Sequence, residues 1–319
     1  RIQHSSTMNT FQAAALLVLA SHASAAQFTK TPASVGHPFL RYDAFLFDGG
    51  SLHDNVDAKP YAAKAVEALQ LAGKLVIIGS NAPHANDDEL AFLQRLGVAN
   101  LATSLEYAKL NDDVPLVSIF TSGHVAREEL RKPSCCYGDR PLVLGASREE
   151  LGRLHPPGDQ IRPVESLDEA TCLMAYSSAP TTEDYALAER AGALDMPFLA
   201  LAGDDRLGGV HGLIAAYMRA GGRRSSIFGK PHPGFFRKAK AIAARHGAAD
   251  SLCVVGDSLA QDVEGAKRAG LPVAWLCDGV SDTDVAELLE GAPRRQLPDY
   301  VIGSLKPPDR LARCDVTCD

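Results

Sequence analysis

The chain has 319 residues, 46% hydrophobic and 22% charged, an ordinary globular balance with length for one large domain or two modest ones. Its net charge of −7, with a pI near 5.8, offers no basic footprint, so nucleic-acid binding is not expected. The seven cysteines (Cys135, Cys136, Cys172, Cys253, Cys277, Cys314, Cys318) show no CxxC spacing and read as buried reduced thiols. Only Cys314 and Cys318 invite pairing, and then only in an oxidising compartment.

Residues 1–40 stand apart. They lack Asp and Glu, are rich in Ser, Thr and Ala, and carry an apolar run from Ala13 to Ala20. A bilayer needs about 20 apolar residues, so no transmembrane helix is expected here. A small-x-small exit at Ala23 and Ala25 reads as a secretory signal, whereas the acid-free, Ser-rich composition reads as an organellar presequence. The expectation is an organellar location, mitochondrial before plastid or secretory. The sequence opens on Arg1, as in a processed chain or an incomplete reading frame. If kept, such an apolar arm would lie against a protein assembly or a membrane surface, because a free arm does not repay its ordering entropy.

From Arg41 onward strands and helices alternate. Tyr42–Phe47 predicts a strand, Pro60–Leu71 a helix with apolar positions at helical spacing, and Leu75–Ile78 a buried strand. Asp87–Leu96 predicts a helix stopped by Gly97; Leu116–Phe120 a strand; Ser122–Leu130 a helix. After the loop-rich stretch Arg131–Arg140 come a strand at Leu142–Leu144, a short helix at Arg148–Leu154 and a strand at Cys172–Tyr176. A helix over Thr182–Ala191 and a strand over Phe198–Leu201 complete this set. The first alternation then resumes: helix Val210–Ala220, strand Ser225–Phe228, helix Pro233–Arg245, strand Cys253–Val255, helix Gln261–Ala269, strand Val273–Leu276, helix Asp282–Leu289. This period predicts an α/β protein with a doubly wound, mostly parallel sheet and right-handed crossovers, and a smaller α/β insertion. The expected boundaries are 1–40 for the arm, 41–122 and 204–305 for the core, 123–203 for the insertion and 306–319 for a tail.

Four segments end apolar strands with glycine or polar residues: Phe47-Asp48-Gly49-Gly50, Ile78-Gly79-Ser80-Asn81, Phe228-Gly229-Lys230-Pro231 and Val255-Gly256-Asp257-Ser258. In a doubly wound sheet such ends converge on one crevice. Two carboxylates, a hydroxyl and an ammonium there suit phosphoryl chemistry, because a carboxylate can attack phosphorus and a hard Mg²⁺ prefers oxygen ligands. Ser80 would hydrogen-bond phosphate oxygens and Lys230 would neutralise their charge. The histidines His53, His84, His124, His211 and His232 lack i, i+4 metal spacing and read as loop or packing residues.

In their order along the chain these segments resemble the four motifs of the haloacid dehalogenase superfamily. The run Gly229-Lys230-Pro231-His232-Pro233, with Gly212-Leu213-Ile214-Ala215-Ala216-Tyr217 before it, resembles class IIA, the branch of sugar-phosphate, nucleotide and nitrophenyl phosphatases with an α/β cap. The resemblance covers about Tyr42 to Gly303. It implies Asp48 as nucleophile, Ser80 and Asn81 at the phosphate, and Lys230 as the charge-neutralising lysine. It also implies Mg²⁺ held by Asp48, Asp257 and the Gly50 carbonyl, with Asp262 behind it holding waters or orienting Lys230. Small phosphorylated metabolites would be the substrates.

Three positions depart from that pattern. Gly50 stands where an acid/base Asp protonates the leaving oxygen and later activates water, a role typically worth about 10²–10⁴-fold. Ala202-Gly203-Asp204 replaces the cap's Asn-Pro-Asp, so only Asp204 is carried over, and Gly79 precedes Ser80. Two functions therefore compete: a Mg²⁺-dependent phosphate-ester hydrolase, and a catalytically silent accessory subunit of an organellar assembly.

Overall fold

A computed structural model of the chain describes residues 41–53, 58–59, 61–71, 73–82, 91, 93–95, 101–103, 117–132, 136–145, 160–176, 180–201, 209–278, 282–303 and 305. The expectations for the arm, the tail, the helix at Arg148–Leu154 and most of Asp87–Leu96 lie outside these residues, as do Asp204, His84, Cys135, Cys314 and Cys318. The chain separates into two compact units. One takes residues 1–78, 92–118 and 239–319; the other takes 79–91 and 119–238.

The first unit is built on a seven-stranded sheet. Its strands are β1 (Ala44–Asp48), β2 (Leu75–Ser80), β3 (Leu101–Thr103), β4 (Val117–Thr121), β9 (Leu252–Gly256), β10 (Val273–Leu276) and β11 (Tyr300–Ile302), in the order β11-β10-β9-β1-β2-β4-β3. The unit boundary falls inside β2, after Ile78, and inside β4, after Ser118. β1 and β9 pair in parallel, with Phe45 beside Cys253 and Phe47 beside Val255. Four consecutive residues of β1 and all five of β9 are buried, the mark of strands covered on both faces. Helix α1 (Ala62–Leu71) buries Ala62, Ala65, Val66 and Leu69, one face at the helical period, and leaves Lys64 and Glu67 in solvent. The short edge strands β3 and β11 were not legible, because three residues carry no period.

The second unit holds an all-parallel four-stranded sheet, β5 (Pro141–Leu144), β6 (Cys172–Ala175), β7 (Phe198–Ala200) and β8 (Ser225–Ile227), in that order. Strand Ser225–Phe228, read as part of the resumed core alternation, instead pairs with β7 through Phe198–Ser225 and Ala200–Ile227. Partner choice between sheets is decided by the crossover helix, which local pattern does not encode. That crossover is α4 (Gly209–Arg219), packed on α3 (Thr182–Ala193). Tyr217 of α4 is fully buried, its ring against Phe198 of β7, and donates its hydroxyl to the Met196 carbonyl at 2.7 Å. α3 starts on a capping box in which the Thr181 hydroxyl and the Asp184 carboxylate each accept the other's backbone N–H. Of the cysteines described, Cys172, Cys253 and Cys277 are buried free thiols as expected, whereas Cys136 is exposed. Burial pushes the Cys253 thiol far up its scale, which keeps it inert.

The α3–α4 contact depends on Gly192, where a β-carbon would lie 2.2 Å from the Tyr217 carbonyl oxygen. Alanine normally favours a helix by about 1 kcal/mol over glycine. Forcing two backbones apart costs about 1–3 kcal/mol, so the clash should win. Gly192→Ala is expected to lower the urea-unfolding midpoint; a raised midpoint would mean that helix preference outweighs the contact.

In the same unit α2 (Ser122–Leu130) carries Glu128, which accepts from Lys238 at 2.7 Å and lies 3.2 Å from the His124 ring nitrogen. Burial raises its pKa, but the hydrogen bonds from His124 and Lys238 outweigh burial and hold it at about 2. A carboxyl depressed in the folded state stabilises above its unfolded pKa and loses that contribution as pH falls toward the folded value. Glu128→Gln should therefore melt lower than the native chain at pH 7, and the gap should close between about pH 4.5 and pH 2. A constant gap across that window would refute the pairing.

Candidate active site

The parallel register determines what sits at the carboxyl end of the large sheet. With Phe47 beside Val255, Asp48 falls beside Gly256, and Asp257 emerges one residue later on the neighbouring strand. β1 and β9 are also where the strand order reverses, since β2 lies on one side of β1 and β9 on the other. Ligands of open α/β sheets bind at that switch point.

After β9 the chain makes a π-turn, Leu259–Val263, before α5 (Glu264–Arg268). A single helix had been expected over Gln261–Ala269. The turn differs because side chains take over its first amides: the Ser258 hydroxyl accepts from Gln261 N–H, and the Asp262 carboxylate accepts from Ser258 N–H at 3.1 Å. Asp262 is thereby turned inward, 1% exposed. Each of Asp48, Asp257 and Asp262 offers a carboxylate oxygen, and the three oxygens lie within 4.8 Å of one another.

Two glycines permit this grouping. At Gly256 a β-carbon would come within 2.3 Å of Asp262 Cβ, so only glycine lets the inward acid pack against β9. At Gly50, in the short 3₁₀ turn Gly49–Ser51, a β-carbon would lie 2.9 Å from Asp48 Oδ2 and 3.8 Å from Asp257 Oδ2. The space facing the carboxylate pair is thus the place where a side chain at position 50 would project. Behind the pair, the indole N–H of Trp275 donates to the Asp257 carbonyl at 2.9 Å.

One neighbour of this cluster had no signal in the sequence. The segment after the 3₁₀ turn doubles back through an antiparallel bridge between His53 and Ala58, and Lys59 N–H donates to the Leu52 carbonyl at 2.8 Å. Lys59 Nζ then reaches Asp257 Oδ2 at 3.1 Å. An isolated lysine eleven residues beyond Asp48 gives no periodic or motif cue. Only the return of the chain brings it there.

Ser80, Asn81 and Lys230 belong to the second unit. Asn81 clamps the Lys230 main chain from both sides: Oδ1 accepts from Lys230 N–H at 2.7 Å, and Nδ2 donates to its carbonyl at 3.3 Å. The Ser122 hydroxyl in turn bonds the carbonyls of Asn81 and Ala82 at 2.9 and 2.8 Å. Ser80 Oγ accepts from Ala82 N–H at 3.2 Å, which leaves its own proton to donate. Lys230, preceding a cis proline, is 4% exposed, with Nζ 5.8 Å from the Phe235 ring centroid. It is a buried lysine, not a solvated surface one.

A family model described as HAD-hydrolase-like matches residues 227–307, the stretch holding Lys230, Asp257 and Asp262. That match covers the carboxyl-terminal part of the chain, including two of the three clustered acids. The chain is similar to haloacid dehalogenase-like phosphatases and shares their fold. It is 28% identical over 252 residues to a D-glycerol 3-phosphate phosphatase of Mycobacterium tuberculosis, covering 74% of this chain and 63% of that one. It is 26% identical over 284 residues to bovine chronophin, covering 83% of this chain and 91% of the relative. The solved glycerol phosphate phosphatase of M. tuberculosis, in complex with magnesium, superposes with a TM-score of 0.61 at 24% identity, covering 84% of this chain and 77% of that one.

The donor set of the present chain fits the same ion. Three carboxylates within 4.8 Å supply only hard oxygen donors, as Mg²⁺ prefers, and a β-carbon at Gly50 would face two of them. Among the described residues no helix is long and apolar enough to cross a membrane.

The Gly256–Asp262 contact is directly testable. Gly256→Ala should cost about 1–3 kcal/mol in urea unfolding, because neither β9 nor the π-turn can yield without breaking a strand or a cap. An unchanged midpoint would show that Asp262 is free to turn outward.

Proposed function

We propose that this chain is a slow, Mg²⁺-dependent hydrolase of small phosphate esters with Asp48 as its nucleophile. The observation that carries this reading is the meeting of Asp48, Asp257 and Asp262 at the switch point of the large sheet. An Asp48 oxygen attacks phosphorus, the bond from phosphorus to the ester oxygen breaks, and that oxygen leaves with the electron pair. Water then attacks the aspartyl phosphate, releasing inorganic phosphate and restoring the carboxylate, while its proton passes to solvent. A bound Mg²⁺ supplies charge neutralisation at this point.

In this reading Ser80 donates to a phosphoryl oxygen and Lys230 offsets the charge there. Asn81 keeps Lys230 in place through its two main-chain bonds. Asp262 orders the surroundings of the ion, and Asp204 contributes from the cap.

Gly50 shapes the substrate class. With no side chain at that position, nothing on the turn protonates the departing oxygen. A leaving group that departs without a proton, such as an aryl oxide, is favoured over an alkoxide. The M. tuberculosis relative is named for D-glycerol 3-phosphate, so a small phosphorylated polyol is the natural alkyl ester to assay beside it.

Turnover of 4-nitrophenyl phosphate should require Mg²⁺ and should be lost in Asp48→Asn; undiminished turnover in that variant would sink the proposal. Gly50→Asp should raise hydrolysis of glycerol phosphate more than that of the aryl ester, by a factor in the range of about 10²–10⁴. Equal gains on both esters would remove Gly50 as the cause of slow turnover.

A second reading rests on the same glycine. The emptied acid/base position suits a catalytically silent accessory subunit of an organellar, mitochondrial assembly, engaged through residues 1–40. It calls for co-migration with a large complex on native gels and no phosphate release with any ester. A freely migrating monomer that turns over would exclude it.

A further inference from the structure

We infer that Lys59 is a built-in counter-ion that competes with the divalent cation for Asp257 and so sets how tightly this site binds metal. The inference rests on the reading of Asp48, Asp257 and Asp262 as a metal site. It concerns one oxygen: Asp257 Oδ2 accepts from Lys59 Nζ at 3.1 Å. An ammonium and a metal ion make the same demand on that lone pair, and they repel each other when both are near.

The placement of Lys59 is built. The His53–Ala58 bridge and the Lys59–Leu52 backbone bond return the chain to the Asp48 turn, so the backbone brings Lys59 within reach of Asp257. The absent side chain at Gly50 adds to this. A β-carbon there would lie 3.8 Å from the same Asp257 oxygen, so glycine keeps a side chain at position 50 from approaching it. The pair is also partly open to water, with Lys59 23% and Asp257 36% exposed. Ion pairs so placed are individually weak and salt-screened, which lets a divalent cation displace the ammonium. Lys59 therefore tunes the site without closing it.

The test is calorimetric titration of the full chain with MgCl₂, which reads binding without turnover, on the native protein and on Lys59→Met, Lys59→Arg and Asp257→Asn. Lys59→Met keeps the length of the side chain and removes its charge; it should tighten Mg²⁺ binding about tenfold, the order expected for losing one charge at hydrogen-bond distance in a partly screened site. Lys59→Arg keeps the charge and should stay within about twofold of the native affinity. Binding that appears only in Lys59→Met would support the inference most strongly. An unchanged or weaker affinity in Lys59→Met, or equal tightening in Lys59→Arg, would overturn it. Asp257→Asn separates the two claims: if it binds Mg²⁺ as well as the native chain, the metal site itself is misplaced, whatever Lys59 does.

Discussion

Parallel pairing of β1 with β9 is the constraint on which the site depends. It places two acids from segments two hundred residues apart at neighbouring strand ends, and it does so through backbone hydrogen bonds that ignore side-chain identity. The strands can pair centrally because Phe45, Leu46, Phe47, Val254 and Val255 bury both faces. A register slip of one residue would turn every one of these side chains to the opposite face. The hydrophobic run and the position of the acids are therefore one requirement.

Three carboxylates held this close repel one another on the order of 1–4 kcal/mol per pair, depending on local polarity. The fold offsets that repulsion with several devices. Asp262 spends its oxygen on the Ser258 amide, a bond that also shapes the π-turn. Asp257 takes the Lys59 ammonium on its side chain, and its carbonyl takes the Trp275 indole. Such a cluster is poised for a cation, and the chain supplies one of its own.

The glycines divide into two kinds. Gly256 and Gly192 are packing requirements, where any β-carbon would strike a neighbouring residue. Gly50 is different in kind: a β-carbon there comes too close only to the Asp48 carboxylate oxygen, at 2.9 Å, with Asp257 Oδ2 at an ordinary 3.8 Å, so the position could hold a side chain if Asp48 turned. The departure at Gly50 is thus a matter of chemistry and not of steric necessity. That is why it bears on leaving-group preference while the other glycines bear on stability.

Much of the fold is legible in the sequence itself. The run Ala44–Phe47 ending in Asp48, and Cys253–Val255 ending in Gly256-Asp257, announced buried parallel strands with acids at their ends, because burial on both faces writes itself as an unbroken apolar run. The spacing of Ala62, Ala65, Val66 and Leu69 announced α1 in the same way. Beyond the reach of the sequence were the pairing of β8 with β7, the π-turn that turns Asp262 inward, and the approach of Lys59 to Asp257. Local periodicity reports how much of a segment is buried, not against what. The choice of partner strand, the direction of a buried acid and the return of a loop are decided by contacts between residues far apart in the chain, and those exist only once the tertiary structure has formed.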